Sequence, residues 1–505
     1  MKDKIIFWLD GDITFYSLSY YLQKKVQCDL YLIIDVPDRQ KSFYENQNLV
    51  NFKKLWFYHD HIDAKNHKPD LNYLSFFEKK YEINLWELAI NERIFYNYND
   101  YYEFNDQEIL SILEQECKLY ETILNEIKPD FFITKETASH QQHLFYQMCK
   151  KTGINVLMLN QSKFSYRCYI TQELHKFDFL KSLSDVKGEN LSFSELENFL
   201  KSNVLSKQLL KLHLDREPPK LAKIKAVFQY LFISKNTNVK TNYYYFGRSK
   251  IRVLFYEFLD VLKRRYREKF INKNFLTTIE FDKPFVYMPL HVEPERSLLI
   301  AAPFYTNQIE TIRHIAKSLP IEYVLCVKEH PTQGVLRGWR KISDYKKMLN
   351  IPNVKLIHPS VSSESIMKKC ALVISVGGTA SFEAPFYRKP SIVFSDMGYT
   401  MISSIFKLDS LEDLPMLIRK ALKTKVDSTS ISKYLSVLDQ NSFEFDYFEF
   451  QRKYGNKFYY GANLGDVNIS LSEMKNFLDE QKPVLEKLTD AYVRKINQFK
   501  NREEN

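Results

Sequence analysis

The chain has 505 residues and a mass of 60.3 kDa, too long for one hydrophobic core and suited to two α/β domains with additions. Its 45% apolar and 15% aromatic content excludes a disordered chain, and with only 12 glycines, against a usual share of ~7%, any glycine cluster is informative. Net charge is +10, but residues 201–275 alone hold 18 Lys/Arg against 5 Asp/Glu, so the basicity is local and favours a surface patch with one partner over general nucleic-acid binding; no nucleic acid is expected as a partner.

The six cysteines are scattered and form no C-x-x-C pair, which argues against a disulfide framework or a zinc ribbon and fits a reducing cytoplasm. No apolar run approaches the ~20 residues needed to span a bilayer, and the N-terminal Lys4–Leu9 run is too short for a signal peptide.

In chain order, Lys4–Leu9 reads as a strand, Ile13–Val26 as a helix and Asp29–Ile34 as a second strand, a β-α-β opening. Lys54–Tyr58 reads as another strand, and Asp106–Ile127 as a long helix stopped by Lys128-Pro129. The alternation restarts with strand Asp130–Thr134, helix Ser139–Lys151 closed by Gly153, and strand Asn155–Leu159. Residues 1–200 are thus expected to form one Rossmann-like domain, and 201–280 a basic helical connection broken at Glu217-Pro218-Pro219-Lys220.

Alternation resumes after Lys283-Pro284. Strands are expected at Phe285–Leu290, Glu322–Val327, Val354–Ile357, Ala371–Val376 and Ser391–Phe394. Between them come helices Gln308–Ser318, Ile342–Leu349, Glu364–Lys369 and Ala380–Tyr387. The reading is a second doubly wound domain over 281–425, followed by a helical tail over 426–505 with one helix from Leu471 to Lys500.

Glycine clusters where it matters. Ala371–Val376 runs into Gly377-Gly378-Thr379, which opens a helix carrying Glu383. At such a turn the N–H groups of Gly378, Thr379 and Ala380 can face a phosphate and Glu383 can accept ribose hydroxyls; the alternative is a tight turn with no ligand. Lys328-Glu329-His330-Pro331 ends another strand of the same sheet, where Lys328 and His330 can neutralise a departing phosphate or simply form a solvated loop. In the first domain Asp10, Asp12 and Glu136 stand at strand ends, where a carboxylate can serve as general base, while Asp12 can equally cap the Ile13 helix.

Asp10-Gly11-Asp12 has the form of a metal-binding D-x-D, but lacks that motif's mid-domain context. His59-Asp60-His61-Ile62-Asp63 has Ala64 where a binuclear zinc hydrolase needs histidine, and reads as a loop. His140 and His143 lie on one helix without a third ligand, with His140 placed near Glu136 to touch a substrate. No metal and no resident cofactor is assigned.

Tyr287-Met-Pro-Leu-His291-Val-Glu293-Pro294-Glu295, Lys328-Glu329-His330-Pro331, Asn353-Val354, Gly378-Thr379 with Glu383-Ala384, and Lys389-Pro390 together resemble the capsule polysaccharide biosynthesis family. The likeness is close over 285–400 and weaker over 136–169, and does not extend to 201–280 or the tail. Gly377-Gly378-Thr379-Ala380-Ser381-Phe382 departs from the pattern, which has one glycine before the threonine and a further glycine with tryptophan after it.

That family is related to bacterial Kdo transferases. The resemblance implies a GT-B-like fold of two Rossmann-like domains facing across a cleft, and a glycosyltransferase moving sugar from a nucleotide-sugar donor, CMP-linked by that relationship, to a capsular or lipid-linked glycan acceptor. It also implies that His330 and the Gly-Thr turn hold the donor phosphate while Glu383 faces the ribose. Nucleotide-sugar 2-epimerases share the fold and the Gly-Gly feature, teichoic-acid glycerophosphotransferases are a third relative, and a non-catalytic glycan-binding or assembly protein is the non-enzyme alternative.

The stretch Ser249–Phe270 sets Ile251, Phe255, Phe258, Leu262 and Tyr266 at helical spacing ahead of Lys263, Arg264, Arg265, Arg267 and Lys269. Such a helix suits an anionic membrane surface, which would place the protein peripherally on the inner face of the cytoplasmic membrane; the same stripe could instead pack on the first domain. Tyr243–Phe246 fits an interface or a glycan platform.

Overall fold

The apolar runs Asp3–Leu9 (β1), Cys28–Ile34 (β2), Phe52–Phe57 (β3), Phe131–Lys135 (β4) and Asn155–Gln161 (β5) pair in parallel in the order β3-β2-β1-β4-β5. Arg167–Thr171 (β6) adds an antiparallel strand beside β5. β1 is apolar at consecutive positions because both faces are covered: Ile5, Phe7 and Leu9 enter one core, Ile6 and Trp8 the other. The computed structural model describes residues 2–503 apart from 175, 179, 181, 187–189 and 204–219.

The second sheet is built from Phe285–Pro289 (β7), Val324–Lys328 (β8), Val354–Ile357 (β9), Leu372–Ser375 (β10), Ser391–Val393 (β11) and Ile405–Lys407 (β12). All are parallel, in the order β9-β8-β7-β10-β11-β12. In both sheets the order reverses beside the first strand, leaving a crevice at the carboxyl ends of the strands where ligands bind in open α/β sheets. The two Rossmann-like domains face each other across a cleft, as expected of the GT-B-like class.

Local signals account for several helices. Asp106–Ile127 begins in a capping box between Asn105 and Glu108 and ends at Lys128 in the left-handed conformation ahead of Pro129. The helix expected over 380–387 divides into Thr379–Glu383 and a 3₁₀ turn Ala384–Tyr387, because Pro385 has no N–H to continue the α pattern. The helix expected from 471 to 500 is two, Leu471–Glu480 and Lys482–Glu503, with Pro483 in the first turn of the second, where its missing N–H costs nothing.

The tail does not stand apart. Helix Ser428–Asn441 packs in the second domain's core through Ile431, Tyr434 and Leu438. Ser442–Glu444 (β13) then pairs antiparallel with β6, and the last three helices cover the first sheet through Phe450, Met474, Leu485 and Tyr492.

In the basic connection, helix Lys220–Phe228 ends in a π turn Gln229–Ile233, and Tyr243 and Phe246 anchor the following loop in the first domain's core. Helix Lys250–Asn274 follows, capped by Ser249. The expected break at Glu217-Pro218-Pro219 lies outside the described residues. No described helix is long and apolar enough to cross a membrane.

Candidate active site

The strand ends of the two sheets open on one cavity of about 1190 Å³. Asp10, Asp35 and Gln141 line it from the first domain and Glu293 and Gln333 from the second, while helix Lys250–Asn274 lays Asp260 and Arg264 along its side.

After β1 the chain turns through Asp10-Gly11-Asp12. Asp10 Oδ1 accepts the Asp12 N–H at 2.9 Å, and its Oδ2 pairs with Lys135 Nζ at 2.7 Å. Burial pushes the Asp10 carboxyl up against the pull of Lys135. Asp12 is committed to the fold: Oδ1 accepts from Thr14 N at 2.9 Å and Thr14 Oγ1 at 2.6 Å, and Oδ2 from the Tyr447 hydroxyl of the returning tail. Burial would raise Asp12, but Lys135 and Thr14 outweigh it and hold it low. The first residue of the helix is Thr14 and Ile13 holds the cap position, so Asp12 stands one place ahead of the cap that the sequence offered it.

Asp35, after β2, accepts from Gln141 Nε2 at 2.9 Å and bonds His59 Nε2 at 2.8 Å. Asp63 is engaged separately, its carboxylate accepting the N–H groups of Lys65 and Asn66. Among the described residues no three His, Cys, Asp or Glu side chains form a metal-binding group.

His140 is engaged by other carboxylates and does not line the large cavity. It is 2% exposed and lies between Glu92 Oε2 at 2.9 Å and Glu116 Oε1 at 2.8 Å. Burial alone would lower it, yet the two carboxylates raise it to about 10. The pair is a structural charge cluster under the loop that carries Tyr243.

Glu136, at the end of β4, joins the domains: its Oε2 accepts from Arg296 Nη1 at 3.0 Å, and Arg296 Nε donates to the Thr137 carbonyl at 2.6 Å. Beside it Phe164, after β5, packs on Phe382 and Phe386 of the second domain with ring centroids 5.0 and 5.7 Å away.

In the second domain, Arg340 latches two loops. Its Nε donates to Glu329 Oε2 at 2.7 Å, Nη1 pairs with Glu293 Oε2 at 2.5 Å, and Nη2 donates to the His291 carbonyl at 2.5 Å. Glu329, 1% exposed, also accepts from the Tyr345 hydroxyl at 2.8 Å and from the His330 N–H at 2.8 Å. The glutamate of Lys328-Glu329-His330-Pro331 is therefore engaged in holding the fold. The His330 ring is oriented by Thr332 Oγ1 on Nδ1 at 2.8 Å.

Lys328 is 4% exposed and its ammonium donates to Ser363 Oγ at 2.9 Å; no carboxylate among the described residues pairs with it. Burial pushes it down to about 8. At the end of β10, Gly377 N–H donates to His291 Nε2 at 3.4 Å, and a Cβ on Gly378 would meet the same imidazole at 3.5 Å. The Gly378 N–H, expected to face a ligand, donates instead to Ser375 Oγ at 3.0 Å. Thr379 and Glu383 begin and end the short helix after this turn, both partly exposed.

The structure thus groups Asp10 and Asp12 around Lys135, ties Glu136 to the second domain, sets Gly377 and Gly378 against His291, and turns Lys328 to Ser363. Of these, Asp10 lines the large cavity. Lys135, Arg296 and Arg340 escape a reading of motifs. Lys135 adjoins Glu136 in Thr134-Lys135-Glu136, but Arg340 follows a surface helix with no motif around it.

No curated protein sequence matches the chain. Among solved structures it is similar to UDP-GlcNAc 2-epimerase from Methanocaldococcus jannaschii, at 15% identity over 87% of this chain and 100% of that one, TM-score 0.24. It is also similar to Thermosulfurimonas dismutans KpsC, a beta Kdo 2,7 transferase, at 13% identity over 59% of this chain and 78% of that one, TM-score 0.27. These likenesses are distant, and the fold rests on the two sheets described above. Residues 220–403 match the family described as capsule polysaccharide biosynthesis protein, beginning ahead of residue 285 where the motif likeness starts.

Proposed function

We propose that the protein is a glycosyltransferase that moves a sugar from a nucleotide-sugar donor to a growing capsular or lipid-linked glycan at the inner face of the cytoplasmic membrane. The observation that carries the reading is Lys328, a buried cation at a strand end that pairs with no carboxylate among the described residues, two residues ahead of the oriented His330. A lone buried ammonium is costly until an anion meets it, and a donor phosphate is that anion.

In the reaction the acceptor hydroxyl attacks the anomeric carbon as the bond to the nucleotide phosphate breaks. Lys328 and His330 stabilise the charge that develops on the departing phosphate, and Glu383 holds the ribose. Asp10, which lines the cavity and is raised by burial, takes the acceptor proton; Glu136, tied to Arg296, positions the two domains. With these cations in place the transfer needs no divalent metal.

The test is to incubate the protein with CMP-, UDP- and GDP-sugars without acceptor and follow the donor by NMR. Slow hydrolysis of one donor class, CMP-linked first, is expected, and it should persist in EDTA. Interconversion of donor epimers would replace the transferase by an epimerase, donor binding without turnover would leave a glycan-assembly protein, and rescue of chelated enzyme by Mn²⁺ would overturn metal independence.

A further inference from the structure

Helix Lys250–Asn274 does not pack its apolar stripe on the first domain. Ile251, Phe255, Phe258, Leu262 and Tyr266 are 47% to 83% exposed. A second stripe accompanies it: Leu221, Ile224, Phe228 and Phe232, spaced as on one helical face, are 56% to 72% exposed. The helices adjoin, since Lys250 Nζ donates to the Leu231 carbonyl at 2.7 Å.

The longer helix is held at both ends. Tyr256 packs on Tyr101 with centroids 5.1 Å apart, and Arg267 donates to the Trp339 carbonyl at 2.8 Å. Its inner side, with Glu257, Asp260 and Arg264, lines the cavity. An apolar stripe therefore faces outward from the element that walls the cleft.

Monomeric soluble proteins rarely leave so many large apolar side chains exposed together, so something covers them. Charge selects the occupant: residues 220–274 carry 14 Lys/Arg against 3 Asp/Glu. A second copy would set two such basic faces against each other, whereas an anionic bilayer accepts both the apolar stripes and the charge.

We propose that these two helices form a docking face for an anionic lipid bilayer, which sets the wall of the cleft at the membrane surface. The inference rests on the location in the functional reading and is independent of its chemistry. Its test is co-sedimentation of the full chain with phosphatidylglycerol–phosphatidylethanolamine vesicles and with phosphatidylcholine vesicles, at low and high salt.

Binding to the anionic vesicles at low salt, weakened by salt and absent from phosphatidylcholine, is expected. Lys223→Gln, Lys225→Gln, Arg265→Gln and Lys269→Gln should each weaken partitioning by about fivefold. Phe228→Ser, Phe232→Ser, Phe255→Ser and Phe258→Ser combined should abolish it without shifting the melting temperature, because these rings are exposed. Failure to bind at low salt, equal binding to neutral vesicles, or retained binding by the four-Phe variant overturns the proposal. So does a concentration-dependent dimer in sedimentation that the same variant dissolves. Donor turnover measured without vesicles reads the transferase chemistry separately.

Discussion

Polar side chains at the carboxyl edge of the first sheet close on one another: Asp10 with Lys135, Asp35 with His59, and His140 between Glu92 and Glu116. At the corresponding edge of the second sheet Arg340 is closed in the same way by Glu329 and Glu293, but Lys328 is buried against a serine hydroxyl. The difference teaches a division of labour. Paired charges fix geometry and hold protons at known places, whereas an uncompensated buried cation stores an unfavourable solvation energy that an anionic ligand relieves.

The largest effect should come from the proton-accepting side. Asp10→Asn is expected to lower turnover by ~10²–10⁴-fold with donor affinity retained, read by steady-state kinetics alongside donor binding. Glu136→Gln serves as the comparison. If it matches or exceeds the loss in Asp10→Asn, the roles of the two carboxylates are exchanged.

Next in size is the closed cluster. His140→Ala leaves two buried carboxylates facing each other and should cost ~3–5 kcal/mol in urea unfolding. Because His140 is raised to about 10 in the fold, its contribution is complete below its ordinary value near ~6.5 and is lost as pH rises towards 10. The wild-type protein should lose stability over that window, and His140→Ala should lose less.

Lys328 slopes the opposite way. Lowered by burial to about 8, it binds its proton less tightly than in the unfolded chain, so its contribution to stability rises with pH between 8 and its ordinary ~10.4. Donor affinity should fall over the same range as the ammonium deprotonates. Lys328→Met should weaken donor binding by ~1.5–3 kcal/mol, as for a lost charged hydrogen bond, and flatten the pH profile in titration calorimetry. An unchanged affinity in this variant would remove the distinction between the two edges.

Gly378→Ala should do least. Its backbone angles, φ −81° and ψ 159°, suit any residue, and the added Cβ makes an ordinary contact with His291 at 3.5 Å. Stability should change by less than about 0.5 kcal/mol, as for substitutions outside special backbone or core sites. A larger loss of stability would make this glycine structural.

Local periodicity and end signals were enough to read both doubly wound domains, and the boundaries of Asp106–Ile127 were legible because Asn105, Glu108 and Pro129 act within a turn of where they stand. The positions of the candidate residues were legible where a strand end coincides with a motif, as at His330 after β8 and Gly378 after β10. What lay beyond the sequence depends on partners far along the chain. The tail could be read as helical but not as the cover of the first sheet, since Tyr447 reaches Asp12 across more than four hundred residues. That Glu329 of Lys328-Glu329-His330 is held by Arg340 could not be read from the motif, since Arg340 stands eleven residues on. The same holds for the stripe of helix Lys250–Asn274: its spacing is a property of the segment, but whether it is buried or bare is decided by what the tertiary structure sets against it.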